Sequence, residues 1–349
     1  MISIQNSQKN RSFIRLNFIL ITALLLCSVL TLVIGDTPWH LIWEDIVNRL
    51  HGSGAPWNPL LNERLPRLIV IICTGASLAV AGAVMQALFQ NPLASPNVLG
   101  ISCGGGLLVV LVFVLEWHLT YPFAIPIAAF AGCLLTLLGV YSLSRSKEGV
   151  QLHTLILTGV AVSSLLFAIQ AAIMFALRDR WMLIQTLTEW EAGSTIDRDW
   201  KHVHMQLPLA LVGLYGCWFY HSEIDILALG EEEAKNLGVE VEKVRWRLFL
   251  CVALLTGGAI ASIGMIAFFS LVLPHLIRYV QGPSNHHLIP LCIIVGSTSL
   301  TALDLLLRFL EIHALSIGNI SAILGGLFFL ILMRNSHILH GGSARWIKN

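Results

Sequence analysis

Arg64, Arg67 and Arg308, together with the histidine pairs His202/His204, His286/His287 and His337/His340, are the side chains of this sequence whose type and spacing could do chemistry. Guanidinium groups grip carboxylates through paired hydrogen bonds, and imidazoles near a membrane mouth can relay divalent metals. No carboxylates stand at ligand spacing beside the histidine pairs, which therefore read as solvated loop residues. His275, directly after Pro274 in LVLPHLIR, reads as part of a helix break. The cysteines, at 27, 73, 103, 133, 217, 251 and 292, all fall in apolar runs and never form a C-x-x-C pair, so they read as small hydrophobes in helix packing. No phosphate loop G-x-x-x-x-G-K-[ST], no H-E-x-x-H and no G-x-S-x-G occurs, which removes the best-marked ATPase, metalloprotease and serine hydrolase readings. Ionisable residues inside the apolar runs are too few and scattered for a proton relay. The energy source is expected on another chain.

The elements that position these residues are membrane helices. Of 349 residues, 56% are hydrophobic and 12% charged, where a soluble domain carries about 25% charged residues. Lys+Arg 21 against Asp+Glu 20 gives a net charge of +1, which argues against nucleic acid as a partner. A bilayer takes roughly 20 apolar residues per helix. That ruler predicts about ten spans, near residues 14–35, 66–88, 94–115, 122–144, 153–177, 203–221, 246–268, 270–281, 288–309 and 316–333. The first follows Lys9, Arg11 and Arg15 but lacks an A-x-A-like site, so it is expected to be retained rather than cleaved as a signal peptide. With the N-terminus in the cytoplasm, thirteen of the 21 Lys and Arg fall inside, as the positive-inside rule asks. Arg64, Arg67 and Arg308 are exceptions at the outer ends of spans. Their plainest reading is local pairing with Glu63, Asp304 or Glu311, or snorkelling to headgroups.

The most informative segment is Gly75 to Gly106, GASLAVAGAVMQALFQNPLASPNVLGISCGGG. It predicts two closely packed helices joined by a Gln-Asn-Pro turn at Asn91 and Pro92, with a second proline at Pro96, because small residues let helix backbones approach inside a bilayer. The outer segments 36–64 and 178–202 hold Trp39, Trp43, Trp57, Trp181, Trp190 and Trp200, which read as interfacial anchors. On the cytoplasmic side, residues 222–247 predict a short amphipathic helix. Its expected apolar face is Leu227, Leu229, Ala234 and Leu237; Glu231, Glu232, Glu233 and Lys235 stay wet, Gly230 precedes it and Gly238 stands at the C-cap. Three consecutive glutamates disfavour an anionic leaflet, which favours a protein contact.

GAVMQALFQNPLASPNVLGISCGGG resembles the signature of the iron-siderophore and vitamin B12 permease family, the FecCD-type membrane subunits of type II ATP-binding-cassette importers. RLPR at 64–67, LALGEEEAKNLGVEV at 227–241, IASIGMIAFFSLVLPHLIRY at 260–279, and LDLLLR followed by SIG at 303–318 appear in the family's order. The resemblance implies an all-α integral membrane protein of about ten helices. It would be a single permease domain over 1–349, with a cytoplasmic N-terminus 1–13, a cytoplasmic coupling-helix loop at about 222–245 and a cytoplasmic tail 334–349. It implies transport of a ferric siderophore or related chelate across a bacterial inner membrane, with haem, cobalamin or a bare divalent metal as alternatives. An intramembrane enzyme or non-transport scaffold is the alternative of another class. The implied partners are a second permease subunit, identical or paralogous, two ATPase subunits carrying ATP and Mg, and a periplasmic substrate-binding protein. This chain itself is expected to bind no cofactor or metal. By resemblance Arg64, Arg67 and Arg308 become docking residues for the binding protein. Leu227, Leu229, Gly230, Glu231, Ala234, Leu237 and Gly238 become the ATPase coupling segment. Asn91, Pro92 and Pro96 shape a cytoplasmic turn supporting it, and Gly82, Ala83 and Gln86 are expected nearer the pathway. Ser270 and Ser316 depart from the family's usual glycine and proline, which puts subfamily and ligand in doubt but not the fold.

Overall fold

The computed structural model describes residues 2–34, 37–52, 57–146, 149–150, 152–310 and 315–334. The C-terminal tail beyond Arg334, the His337/His340 pair, Lys147, Glu311, Arg345 and Lys348 lie outside the described residues.

Helix α3 (Leu65–Leu88) is the central post, and its sequence says why. Every residue from Cys73 to Leu88 is buried, and most are small. Lipid tails are as apolar as leucine, so close van der Waals contact, rather than water exclusion, has to hold membrane helices together. A side chain at Gly75 would place its Cβ only 2.3 Å from the carbonyl oxygen of Gly296, so α3 and α14 (Asn285–Phe309) cross backbone to backbone. Two side-chain hydrogen bonds pin other helices to the post: Gln206 donates to Thr74 at 2.6 Å from α9 (Trp200–Phe219), and Ser297 donates to the Ile72 carbonyl at 3.0 Å from α14.

Around the post the chain runs through α1 (Ile2–Val33), α2 (Trp39–Leu50) and a π-helical turn Leu60–Arg64 that enters α3. A 3-10 turn Pro96–Leu99 leads into α4 (Ile101–Val114). Then come α5 (Trp117–Thr120), α6 (Ala124–Leu143), a hairpin pairing Arg145 with Val150, and α7 (Leu152–Ala176). After them stand α8 (Trp181–Ala192), α9, α10 (His221–Leu227), α11 (Glu231–Asn236), α12 (Val241–Ile263), α13 (Phe269–Gln281), α14 and α15 (Ile317–Arg334). Among the described residues six helices are long and apolar enough to cross a membrane, and Ile101–Val114 and Ile317–Phe328 are shorter apolar ones. All ten predicted spans fall on helices; α9 and α13 complete the set.

Two boundaries move. The span predicted at 246–268 is helical over Val241–Ile263 instead, because Gly264 at φ 94° and Phe268 at φ 63° break the chain before α13. The coupling loop is correspondingly shorter, with Arg245 already inside α12. The outer segment 178–202, expected as a Trp-bearing loop, contains α8.

Candidate functional site

Two ends of the bundle can be named from their contacts. At one, α3 ends beside α10 and α14 begins; at the other, α3 begins and α14 ends beside the last turn of α1.

The first end carries a bracket made by α10 and α11. Gly230 has φ 129° and ψ 159°, a conformation for which only glycine is suited, and it starts α11 on a sharp bend. At the other end of α11, Gly238 at φ 83° donates to Lys235, and Val239 donates to Ala234, closing a Schellman cap. Glu231 ties the short helix to the base of α12. It accepts from buried Arg245 at 2.9 Å and pairs with Lys235 at 2.9 Å. Partial burial works against the Glu231 charge, but the hydrogen bonds from Arg245 and Lys235 outweigh it and hold its carboxyl below the usual glutamate range. The expected single apolar face does not form. Leu227 and Ala234 turn into the core, whereas Leu229 and Leu237 stand 61% and 62% exposed on either side of α11. Leu227 and Leu229 stand two residues apart, on opposite faces of a helix, and Leu237 lies past α11 at its C-cap, so the four cannot share one stripe.

The Asn91-Pro92 turn abuts this bracket. Gln90, in the left-handed conformation at φ 47°, ends α3, and Asn91 N–H closes the cap on the Gln86 carbonyl at 3.1 Å. The Asn91 side chain then accepts from Leu93 N–H at 2.9 Å, an Asx turn that fixes the exit. Pro96 opens the 3-10 turn that follows. A non-glycine residue at positive φ costs about 1 kcal/mol or more and marks a held geometry. Here Gln90 reaches the Leu227 carbonyl at 3.3 Å. Asp225 of α10 completes the end by accepting from the backbone and side-chain N–H groups of Asn285, at 2.7 and 2.6 Å, where α14 starts.

At the opposite end the three arginines bind inward. Arg64 is buried and donates to the carbonyls of Leu32, Val33 and Thr37 at 2.8–2.9 Å. Arg308 donates to those of Thr31 and Ile34 at 3.1 Å. Apart from Thr37, which lies beyond α1, these are carbonyls at the C-terminal end of α1, where cations are favoured by the helix dipole. Arg67 pairs with buried Asp304 at 2.7 Å, and Asp304 also accepts from Thr195 at 2.5 Å and lies 3.4 Å from Arg308. Of the three partners weighed from sequence, Asp304 is engaged. A fourth arginine, Arg198, lies within electrostatic reach of Arg67 and donates to the Ser194 carbonyl at 3.1 Å. It escaped sequence reading because its loop looked like an interfacial Trp segment.

Gly82, Ala83 and Gln86 form one contact with α13. Pro274 lacks the N–H that would bond the Ser270 carbonyl in a regular helix, so that carbonyl is free to face α3. Gly82 admits it; a Cβ there would lie 1.6 Å from the Ser270 oxygen. Gln86 donates to the Leu271 carbonyl at 2.9 Å, and the Ala83 carbonyl accepts from Arg278 at 2.7 Å. Beside this clamp opens a cavity of about 340 Å³, whose polar lining is Asn97, Ser102, Glu191, Thr256, Ser270 and Asn319. Gly82, Ala83 and Gln86 sit behind Ser270 rather than on the cavity wall.

Residues 20–335 match the FecCD transport family. The chain belongs to that family. A hemin transport system permease, HmuU of Yersinia pestis, is 34% identical over 84% of this chain and 87% of its own length. The Fe(3+) dicitrate permease FecD of Escherichia coli is 32% identical over 88% of this chain and 94% of its own, and the vitamin B12 permease BtuC of Vibrio vulnificus 33% over 92% and 94%. A solved structure described as an inward-facing metal-chelate type ABC transporter matches at a TM-score of 0.80 and 24% identity, covering 93% of this chain and 99% of the other. That likeness speaks for the fold alone, a bundle of membrane-length helices.

Proposed function

We propose that this FecCD-family chain is the membrane-spanning permease subunit of an ATP-binding-cassette importer that carries a ferric siderophore, or a related metal chelate, into the cytoplasm. The observation that carries the reading is the bracket of α10 and α11: two exposed leucines, Leu229 and Leu237, flanking a short helix braced by Glu231–Arg245, Gly230, Gly238 and Gln90. Exposed leucines on a rigid polar frame suit burial in a protein cleft. The partner there is a separate ATPase subunit with its ATP and Mg. Leu227 and Ala234 anchor the bracket to the bundle, so a push on α11 passes into α12 through Arg245 and into α3 through Gln90.

In this reading both termini lie in the cytoplasm and the arginine end faces the periplasm of a bacterial inner membrane. Two permease chains, identical or paralogous, enclose the path. Arg67 and Arg308 share one buried carboxylate, Asp304, and the guanidinium groups of this end suit carboxylates of a substrate-binding protein. Arg308→Gln is the informative variant for docking, because charge reversal at Arg64 or Arg67 would also set a carboxylate near Asp304. Weaker docking with intact permease dimers is the expected result, and unchanged affinity refutes the arginine assignment. For the ATPase contact, Leu229→Glu with Leu237→Glu is expected to abolish co-purification of the ATPase while the helical fold persists; retained co-purification refutes it.

The hemin and vitamin B12 permeases among the relatives favour haem or cobalamin as second readings. Binding of ferric chelates, haem and cobalamin to the cognate binding protein, with uptake in a strain lacking this chain, separates them.

A further inference from the structure

We infer that the passage beside α13 selects cargo by charge, admitting neutral or positively charged chelates and opposing anionic ones, with Glu191 as the selecting side chain. The inference rests on the importer reading above and adds a substrate class to it.

The argument begins with the cavity lining. Its polar groups are two amides, three hydroxyls, the Cys103 thiol and one carboxyl, Glu191; no Lys, Arg or His lines it. Glu191 stands at the last turn of α8, half-buried, where the amide of Gln170 on α7 donates to it. No cation is paired with it among the described residues. The arginines of the neighbouring end are committed elsewhere: Arg67 to Asp304 and Thr195, and Arg198 to Ser194 and His202. Burial raises the affinity of the Glu191 carboxyl for a proton, yet no second carboxylate adds to that effect.

An uncompensated carboxylate beside an apolar wall acts at longer range than one in water, because the local dielectric is lower. At a separation of about 7 Å and an effective dielectric near 20, a single negative charge on the cargo meets a penalty that slows passage on the order of tenfold or more. A second copy of the chain facing the first across the path adds another Glu191. Amides and hydroxyls, by contrast, offer weak and exchangeable hydrogen bonds to a neutral chelate, which suits a site that has to release what it admits.

The test uses proteoliposomes containing the whole importer, with the cognate binding protein saturated by one of two probes, a neutral ferric trihydroxamate or ferric dicitrate. The readout is the ratio of the two uptake rates per occupied binding protein. Poor assembly of a variant lowers both rates together and leaves that ratio intact. Wild type is expected to favour the neutral probe by about tenfold or more, and Glu191→Gln to shrink the ratio several-fold, with Glu191→Lys reversing it. Equal rates in wild type, a ratio unmoved by Glu191→Gln, or a binding protein that accepts only the anionic chelate and feeds it through at full rate would each overturn the inference. If neither probe is bound or moved, the ferric-chelate reading fails by itself, and the same ratio is taken between cobalamin and haem, whose propionates carry negative charge. Preference for haem then overturns the charge assignment, and preference for cobalamin upholds it.

Discussion

At the scale of single residues, the arginines at the end where α3 begins show how one side-chain type can serve two demands. Arg64 and Arg308 satisfy the carbonyls where α1 ends, and Arg67 neutralises the buried Asp304. Removing one partner of such a buried pair strands the other charge and costs about 3–5 kcal/mol. Asp304→Ala is therefore expected to lower the midpoint of thermal unfolding in detergent sharply, and a midpoint within a degree of wild type contradicts the pairing. Pairing with Asp304 was legible from sequence as one of three candidates, because an aspartate one turn before Arg308 is a close neighbour on any helix. The commitment to α1 was not legible, since it depends on which helix end packs there. Glu191 was missed for the same reason: nothing in its own segment states that α8 folds back toward α12 and α15.

Among the elements, α11 and α13 carry the mechanical content. The acid sensitivity of α11 has a definite sign. Because Arg245 and Lys235 hold the Glu231 carboxyl below its unfolded value, their stabilisation is present above the ordinary glutamate range and is lost as pH falls through the lower, folded value. The protection of α11 amides against hydrogen exchange, taken relative to the intrinsic rate at each pH, is expected to fall on acidification in wild type and to show no such step in Glu231→Gln; a step of equal size in both refutes the tie. The clamp on α13 predicts a different loss. Gln86→Leu leaves the Leu271 carbonyl without its cross-helix donor and is expected to cost about 1–2 kcal/mol. Gly82→Val should do worse, since its side chain would occupy the space of the Ser270 carbonyl; equal stability of both variants with wild type argues against the clamp. The sequence foretold that small residues meet a broken helix here, through Pro274 and the glycine spacing. The contact lies behind Ser270 rather than on the cavity wall, and a glycine signals close approach without saying whether the neighbour is a ligand or backbone. The apolar stripe of α11 failed for a helical reason: Leu227 and Leu229 are two residues apart and face opposite ways, and Gly230 and the Leu237 cap bound α11 to six residues.

For the whole molecule, fold and family were legible almost end to end, since apolar length sets the spans and the linked motifs occur in order over residues 20–335. The cargo was not, as a wall that binds weakly needs few specific residues. The central claim is that this chain is a path and a lever driven by a separate ATPase through Leu229 and Leu237. It is tested most directly by ATP-dependent accumulation of a ferric chelate in vesicles reconstituted with this chain, its ATPase and its binding protein. Wild type should accumulate the chelate only when ATP and the ATPase are present, and the Leu229→Glu, Leu237→Glu protein, folded and inserted, should not. Accumulation without the ATPase, or undiminished accumulation by the double variant, would contradict the account.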